Sequence, residues 1–560
     1  MSRNAESHFA VNPTRIDMSR SRFDRSSSYK TTFNVGQIIP FYVDEVLPGD
    51  TFSIDTSKVV RMQTLLTPVM DDIFLDTYYF FVPNRLTWSH WKQFMGENTE
   101  SAWIPSVEYE VPQLTAPEGG WNIGTIADYL GIPTGVSGLS VNALPFRAYA
   151  LIMNEWFRDE NLSDPLNIPV TDATVQGVNT GTFVTDVAKG GLPYFTSALP
   201  APQKGPDVTI PVAEAATAYV YPAATLNPDL ASRFHELQWV QSNGQILSQK
   251  TPNAVLQLGF TKRAGASESI DSDVTRVISE TMQSPPSGNT SLIPGNLVAD
   301  FSGTSQAATI NQLRLAFQIQ KLYERDARGG TRYIEILKSH FGVTSPDARL
   351  QRPEYLGGNR IPININQVVQ SSSTDASGTP QGNTAAYSLT SDNHSDFTKS
   401  FVEHGFLIGV MVARYRHTYQ QGLERFWSRK DRFDYYFPVF ANIGEQAIKN
   451  KEIYAQGTVK DDEVFGYQEA WADYRYRPNR VTGEMRSSAP QSLDVWHLGD
   501  DYKSLPSLSD SWIREDSKTV NRVLAVSDNV SAQLFCDIYI RNLCTRPMPL
   551  YSIPGLIDHH

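Results

Sequence analysis

Three short segments of the sequence interleave basic and aromatic residues: 414–419, 426–433 and 474–480. Aromatic faces beside guanidinium groups can stack on single-stranded nucleic acid and neutralise it. The same residue types anchor protein interfaces, and carboxylates such as Asp431 and Asp473 could pair the arginines. We therefore predict a subunit interface, with nucleic-acid binding as the alternative. The interface candidates are Arg414, Tyr415, Arg416, Trp427, Arg429, Arg432, Tyr474, Arg475, Tyr476 and Arg477.

Histidine and carboxylate residues could support acid–base or metal chemistry, but their spacing does not favour it. His394, His404 and His417 lie ten and thirteen residues apart, and only His404 has an adjacent carboxylate, Glu403. No nucleophile or orienting partner accompanies this pair at a recognisable spacing. The sequence also lacks a phosphate-binding loop, a dinucleotide fingerprint, a zinc-protease motif and a nucleophile elbow. We therefore predict no enzymatic activity, no catalytic or metal-binding residue and no cofactor.

The first 32 residues are rich in serine and poor in apolar side chains. This stretch carries six basic residues against three acidic ones, which is typical of a flexible basic arm. Such an arm could bind DNA or a neighbouring subunit, or it could simply solubilise the chain. The nucleic-acid-binding candidates are Arg3, Arg15, Arg20, Arg22, Arg25 and Lys30.

Composition excludes several classes of protein. The chain has 560 residues, 11% of them aromatic and 19% charged, so a disordered protein is excluded. Its net charge of −12 argues against a surface that binds nucleic acid all over. The two cysteines, Cys536 and Cys544, are too few for a disulfide scaffold or a cysteine metal site. The longest apolar run, 406–413, is too short to span a bilayer, so we expect a soluble protein without membrane insertion.

Alternation of apolar and polar residues predicts β-strands at both ends of the chain. Strand patterns cover 33–43 and 51–55, separated by a Pro-Gly-Asp turn. Residues 73–82 are almost all β-branched or aromatic, as in a strand buried on both faces. Strict alternation over 532–541 points Cys536 into the core. These patterns predict a mainly β protein built as a two-sheet sandwich.

Helical periodicity is sparse. It is clear within 144–162 and after Thr309, where a capping pattern precedes an amphipathic stretch. Long connections join the predicted strands at 84–140, 207–305 and 366–398. Loops of this length are usually functional, so we predict one β domain that contacts neighbours through its loops.

Four sequence blocks carry a resemblance to a known family. They are LPFRAYALIMNEWFRDENL (144–162), PYFTSALPAPQKGPDV (193–208), IQKLYERDARGGTRYIEILKSHFGVTSPDARLQRPEYLGG (319–358) and FGYQEAWADYRYRPNRVTGEMRS (465–487). In this order they resemble the major capsid protein of microviruses, specifically the gokushovirus group of small single-stranded DNA bacteriophages. The resemblance extends from about Phe33 to the C-terminus.

The resemblance implies a single eight-stranded antiparallel viral jelly roll that assembles as sixty copies into a T=1 icosahedral shell around circular single-stranded DNA. It implies a virion protein, assembled in the bacterial cytoplasm. The implied partners are further copies of the chain, a minor pilot protein, a small DNA-binding protein, an internal scaffolding protein and a host receptor. The core would comprise 33–206 and 306–560, after an arm at 1–32.

The resemblance also assigns 207–305 to an insertion that protrudes at the threefold axes and contacts the host. Within it, Pro, Gly and Ser punctuation suggests two exposed tips, at 215–225 and 284–296. The host-contact candidates are Tyr219, Tyr221, Ser284, Pro285, Pro286, Ser287 and Asn289.

A jelly-roll carbohydrate-binding module is the alternative function. Its sugar-stacking aromatics would be Trp88, Trp91, Trp103 and Trp121. A metal-binding jelly roll would also need a tight His/Glu cluster, which the sequence does not offer.

Overall fold

The computed structural model describes residues 19–97, 108–173, 185–189, 193–205, 219–222, 239–240, 293–294, 297–300, 310–329, 335, 338–339, 351–372 and 380–551. The chain divides into two compact units, one formed by Met1–Gly205 with Leu322–His560 and the other by Pro206–Lys321. The predicted insertion, 207–305, falls within the second unit.

The strands of the described residues, in chain order, are β1 (Ser21–Asp24), β2 (Ser27–Phe33), β3 (Gln37–Val46), β4 (Thr51–Met62), β5 (Ile73–Pro83), β6 (Gln113–Thr115), β7 (Ser140–Asn142), β8 (Thr185–Asp186), β9 (Tyr219–Pro222), β10 (Trp239–Val240), β11 (Ile293–Pro294), β12 (Leu297–Asp300), β13 (Glu354–Gly357), β14 (Arg360–Pro362), β15 (Ile365–Val369), β16 (Thr384–Ser388), β17 (Thr390–Ser400), β18 (Gly405–Tyr415), β19 (Glu445–Lys449), β20 (Val464–Glu469) and β21 (Leu534–Arg546).

The α-helices of the same residues are short, with one exception. They are α1 (Asn84–Thr87), α2 (Trp91–Phe94), α3 (Ile126–Tyr129), α4 (Leu144–Ile152), α5 (Pro193–Thr196), α6 (Ile310–Gly329), α7 (Asn450–Ile453), α8 (Asp510–Ile513) and α9 (Ser517–Asn521). A π-helical turn, Met153–Phe157, continues α4. Both helices expected from the capping and periodicity signals, within 144–162 and after Thr309, are therefore confirmed.

Two antiparallel sheets form the core of the first unit. In the first sheet, β21 lies between β4 and the two N-terminal strands β1 and β2, and β17 pairs with the other edge of β4. In the second sheet the order is β13, β5, β18, β3 and β8, with β14 also paired to β5. The prediction of a mainly β, two-sheet protein is confirmed.

The apolar core lies between these sheets. On β4, alternate residues such as Phe52 and Ile54 are fully buried, and Cys536 on β21 joins the same cluster. The hydroxyl groups of Thr56 on β4 and Tyr79 on β5 lie 2.7 Å apart, so polar contacts also connect the sheets. Burial of Cys536 raises the pKa of its thiol to about 12, which makes it an inert core side chain.

The second sheet is covered on its outer face as well. Leu75 and Phe81 of β5 face the core between the sheets, whereas Phe80 and Val82 belong to a second apolar cluster that includes α4. The Tyr149 hydroxyl of α4 donates a hydrogen bond of 2.6 Å to the backbone carbonyl of Ile38. Burial of β5 on both faces, expected from its continuous apolar sequence, is confirmed.

The strand expected over 33–43 is broken by a turn. Gly36 has φ +87°, and a Cβ at that position would lie 2.6 Å from Cβ of Glu515. Here the chain leaves β2 in the first sheet and enters β3 in the second. The sequence pattern could not indicate this break because the close contact comes from residue 515.

The arm expected over 1–32 is too long. Residues 21–24 and 27–33 are strands, with Ser21 opposite Arg546 and Ser27 opposite Ile540 on β21. They supply backbone hydrogen bonds to an edge that would otherwise be unpaired, which explains why a serine-rich segment is ordered here. The remainder of the predicted arm, 1–18, lies outside the described residues.

Candidate interface surfaces

Two of the three basic–aromatic segments, 426–433 and 474–480, meet around one cavity of about 710 Å³, and Tyr419 at the end of the third segment also lines it. We call it the basic–aromatic cavity. Two 3₁₀-helices, Arg425–Ser428 and Ala472–Tyr474, contribute residues to its wall. Six arginines and three carboxylates line it: Arg425, Arg429, Arg475, Arg477, Arg480, Arg486, Glu424, Glu452 and Asp473.

The inner wall of the cavity is a hydrogen-bonded network. Arg425 donates to Glu452 at 2.8 Å, and the Tyr194 hydroxyl donates to the other oxygen of the same carboxylate at 2.8 Å. The rings of Tyr194 and Tyr476 are parallel, with centroids 4.7 Å apart. Burial, followed by the nearby Glu424 charge, raises the pKa of Tyr476 well above its ordinary value, so this hydroxyl stays neutral.

Arg429 is fixed by both charge and stacking. Its guanidinium pairs with Asp473 and lies 4.3 Å from the ring centroid of Tyr474. The side chain is only 9% exposed, so the charge is neutralised within the subunit. Arg475 and Arg477, in contrast, are more than 60% exposed, and their carboxylate partners are Glu469 and Glu424. The exposed guanidinium groups at the rim are available to a partner, because solvent-exposed ion pairs are weak.

Exposed aromatic side chains occur at Trp427, which lines the cavity, and in the segment that follows it. Trp427 is 67% exposed and Phe433 is 60% exposed. Three consecutive rings follow, Tyr435, Tyr436 and Phe437, each at least 44% exposed. We call Trp427, Phe433, Tyr435, Tyr436 and Phe437 the aromatic patch. Clusters of this composition beside arginines are typical of protein docking surfaces.

The third basic–aromatic segment reaches this cavity only through Tyr419, its last residue. Arg414 donates to Asp76 at 2.8 Å within the second sheet, and Arg416 lies over the ring of Phe74 at 5.4 Å. Tyr415 is 1% exposed and belongs to the core, so its assignment to a subunit interface is wrong. Its basic neighbours suggested a surface segment, but Tyr415 is the inward-facing last residue of β18.

Some members of the surface were missed by the sequence analysis. Tyr194 and Arg425 line the cavity, and Tyr435, Tyr436 and Phe437 extend the aromatic patch. The run DYYF at 434–437, directly after segment 426–433, was an available signal. Arg432, which was predicted, lies over the ring of Phe433 at 4.9 Å.

The nucleic-acid-binding candidates among the described residues have different surroundings. Arg20 donates to the backbone carbonyl of Gly49, and Arg25 pairs with Asp44 at 2.7 Å. Lys30 lies 3.3 Å from Asp537 on β21, and Arg22 is exposed on β1. Arg3 and Arg15 lie outside the described residues.

Only two host-contact candidates lie within the described residues. Tyr219 and Tyr221 belong to β9, which pairs with β12 in an antiparallel ladder. The others, Ser284, Pro285, Pro286, Ser287 and Asn289, lie outside the described residues.

The three histidines singled out in the sequence lie apart: His394 is on β17, whereas His404 and His417 contact other side chains of the subunit. Glu403 is bound by Arg85 at 2.8 Å, and His404 packs against Trp91. His417 is buried between the carboxylates of Asp500 and Glu515. Among the described residues, no group of three or more His, Cys, Asp or Glu side chains could hold a metal ion.

The tryptophans do not form an exposed sugar-binding platform. Trp88, Trp91 and Trp121 are at most 9% exposed and belong to the apolar cluster on the outer face of the second sheet. Trp103 lies outside the described residues. The three that are described cannot stack on a carbohydrate, which removes the observation that favoured a sugar-binding module. Within the part of the chain that the structure describes, every helix is too short or too polar to cross a membrane.

Comparison with known proteins identifies the family. A family model described as capsid protein (F protein) matches residues 12–556. The chain is 44% identical over 536 residues to capsid protein VP1 of Spiroplasma virus 4, covering 94% of this chain and 93% of that protein. It is 43% identical over 558 residues to capsid protein VP1 of Bdellovibrio phage phiMH2K, covering 99% and 98% of the two chains. It is 41% identical over 594 residues to capsid protein VP1 of Chlamydia phage 1, covering 98% of each chain.

These matches confirm the predicted resemblance to microvirus capsid proteins. The chain therefore belongs to the phage capsid protein (F protein) family and is a structural component of the virion.

Proposed function

We propose that the two sheets form an eight-stranded viral jelly roll made of β2, β3, β4, β5, the β13–β14 pair, β17, β18 and β21. The strand order supports this fold. The first four strands alternate between the first and second sheets, β13–β14 remains in the second, and β17, β18 and β21 alternate again. As a result β2 pairs with β21 from the far end of the chain, the kind of long-range pairing that jelly rolls contain.

The subunits assemble as sixty copies into a T=1 icosahedral shell around circular single-stranded DNA. The observation that carries this proposal is the match to a capsid protein family over residues 12–556. A closed shell requires each subunit to contact several copies, each contact burying about 1,000 Å² or more. Among the described residues, the aromatic patch and the exposed arginines Arg475 and Arg477 form a surface suited to such a contact.

DNA lies on the inner side of the shell, where the basic N-terminal residues contact it. Among the described members of the predicted set, Arg25 and Lys30 are paired with Asp44 and Asp537, whereas Arg22 is exposed on β1. We therefore assign the DNA contact to Arg22 together with Arg3 and Arg15. Assembly takes place in the host cytoplasm with the pilot, DNA-binding and scaffolding proteins as partners. Because arginines neutralise DNA phosphates, the affinity of these residues for DNA should fall as the salt concentration rises.

The segment 207–305 forms the protrusion at the threefold axes and binds the host receptor. Its support is position and size within the chain, together with the compact unit Pro206–Lys321. Pairing of β9 with β12 closes the segment at its base, since Pro222 lies opposite Leu297. A loop closed at its base can vary in sequence without disturbing the strands of the core.

Sedimentation and negative-stain microscopy of the expressed chain, with and without single-stranded DNA, test this function. We expect uniform particles of the size required for sixty copies, and faster sedimentation when DNA is enclosed. A chain that stays monomeric with DNA and with co-expressed scaffolding protein would contradict the shell. Particles that form but exclude DNA would contradict only the packaging proposal.

A further inference from the structure

A lysine is buried between the two sheets of the sandwich. Lys58 lies on β4, where the neighbouring inward positions are Thr56 and Val60, and its side chain is 0% exposed. Burying an ammonium group is costly, so burial lowers the pKa of Lys58, although Asp392 and Asp396 oppose the shift. The amine is therefore closer to its neutral, nucleophilic form than an ordinary lysine.

Three polar side chains surround this amine. Nζ of Lys58 donates to Oδ1 of Asn359 and, at 3.2 Å, to Oγ1 of Thr77. Oδ2 of Asp392 lies 3.3 Å from Nζ and accepts a 2.8 Å hydrogen bond from Nδ2 of Asn359. A single carboxylate oxygen therefore contacts both the amine and the amide nitrogen.

The backbone holds these groups in register. Asp392 on β17 lies directly opposite Lys58 on β4 in the first sheet. Asn359 lies in the turn between β13 and β14, and its carbonyl accepts a 2.9 Å hydrogen bond from the amide of Thr77 on β5. The turn reaches this position because Gly358 has φ +146° and a Cβ there would lie 1.9 Å from the carbonyl oxygen of Thr77.

We propose that Lys58 and Asn359 form an intramolecular amide bond, with Asp392 as the proton carrier. A proton passes from the Lys58 ammonium to Asp392, and the Nζ lone pair then attacks Cγ of Asn359. The Nζ–Cγ bond forms, the Cγ–Nδ2 bond breaks, and Asp392 transfers the two protons lost by Nζ to the departing nitrogen. One ammonium ion leaves, and the reaction needs no oxidant or other co-reactant.

The surrounding groups favour this reaction. The Thr77 hydroxyl donates to Oδ1 of Asn359 at 3.0 Å, which stabilises the charge that develops on this oxygen in the tetrahedral intermediate. The amine and amide are already in contact, so little orientational entropy remains to be lost. The product joins the first sheet covalently to the second. This inference does not depend on the proposed shell.

Mass spectrometry of the denatured full-length chain tests the proposal. We expect an intact mass lower than the sequence mass by one ammonia. After trypsin digestion we expect no cleavage at Lys58 and a branched peptide that joins the segments around Lys58 and Asn359. An unaltered mass with ordinary cleavage after Lys58 would overturn the proposal. A linear succinimide at Asn359, which loses the same mass without a branch, would overturn it too.

Three variants assign the roles. Lys58→Arg and Asp392→Asn should both have the full sequence mass, because the first lacks the amine and the second lacks the proton carrier. Lys30→Arg is the matched control, since Lys30 lies opposite Asp537 in an exposed cross-strand pair, 3.3 Å apart, and should keep the mass deficit. A branched peptide in Asp392→Asn would overturn the role of Asp392. If Lys58→Arg or Asp392→Asn fails to fold, the presence or absence of the branched peptide in the wild-type digest still decides whether the amide bond forms.

Discussion

Nε2 of His417 lies 2.9 Å from a carboxylate oxygen of Glu515, and its Nδ1 lies 2.9 Å from Asp500. The imidazole is 1% exposed and connects the segment after β18 to two distant parts of the chain. Burial alone would lower its pKa, but the two carboxylates outweigh burial and raise the pKa to about 9. A histidine that carries its charge at neutral pH thus joins three segments of the core.

This arrangement predicts a loss of stability in mild alkali. The folded-state pKa of about 9 exceeds the ordinary value of 6.5, so the folded state binds this proton more tightly. The contribution is therefore complete below pH 6.5, declines between 6.5 and 9, and is lost above 9. When complete, the contribution of the charged His417 to the free energy of unfolding is about 3 kcal/mol. Urea unfolding of the unassembled subunit across this range measures the decline.

His417→Gln is the control for this pH dependence. The variant should be less stable than the wild type near neutral pH and should lack most of the decline, because its amide does not titrate. Parallel decline of both proteins across the same range would show that another group is responsible.

Trp427→Ala should impair assembly without unfolding the subunit. The ring is 67% exposed, so its truncation should change the free energy of unfolding by about 0.5 kcal/mol or less. Loss of an aromatic anchor costs about 2 kcal/mol per interface, which raises the concentration needed for assembly by tenfold or more. Sedimentation at a series of subunit concentrations measures this shift. Ile123→Ala, at a position 84% exposed, is the control, and equal impairment by both would contradict the assignment of the interface.

Neutralising the N-terminal arginines should separate DNA binding from folding. Replacing Arg3, Arg15 and Arg22 with Gln should lower the packaged DNA and leave thermal unfolding of the subunit unchanged. Arg25→Gln should instead destabilise the subunit by about 1–3 kcal/mol, because the largely buried carboxylate of Asp44 loses its charged partner and keeps only neutral donors such as the Tyr42 hydroxyl. Ultraviolet absorbance of purified particles and thermal unfolding measure the two effects. Unchanged packaging at every salt concentration in the triple variant would refute a lumenal role.

Local sequence patterns predicted the strands of the core and the side chains that face inward. Features that depend on contacts between distant parts of the chain could not be predicted in this way. Cys536 and the two-faced β5 were predictable because alternation along one strand fixes which side chains face inward. The turn at Gly36 was not, because its constraint comes from Glu515.

The candidate surface was predictable only in part. Segments 426–433 and 474–480 have the right composition, but only the folded chain brings Arg429 and Tyr474 into contact. Lys58 is a case in which two sequence signals disagree. The alternation of buried residues along β4 places its side chain in the core, whereas a charged side chain is expected at the surface. Where pattern and residue type disagree in this way, the side chain requires dedicated partners, and the sequence cannot identify them.

Shortening the insertion should separate shell assembly from host attachment. Because Pro222 lies opposite Leu297 at the end of the β9–β12 ladder, residues 223–296 can be replaced by a two-residue Asn-Gly turn that closes the hairpin. Particles built from this variant should form normally, since the described strands of both core sheets come from other parts of the chain, but should not adsorb to host cells. Particle yield by sedimentation and depletion of particles by cells measure the two properties. Replacing the 373–379 segment of the core unit with Gly-Ser residues of equal length is the control and should leave adsorption intact. Full adsorption by the shortened variant would place the receptor contact elsewhere on the shell.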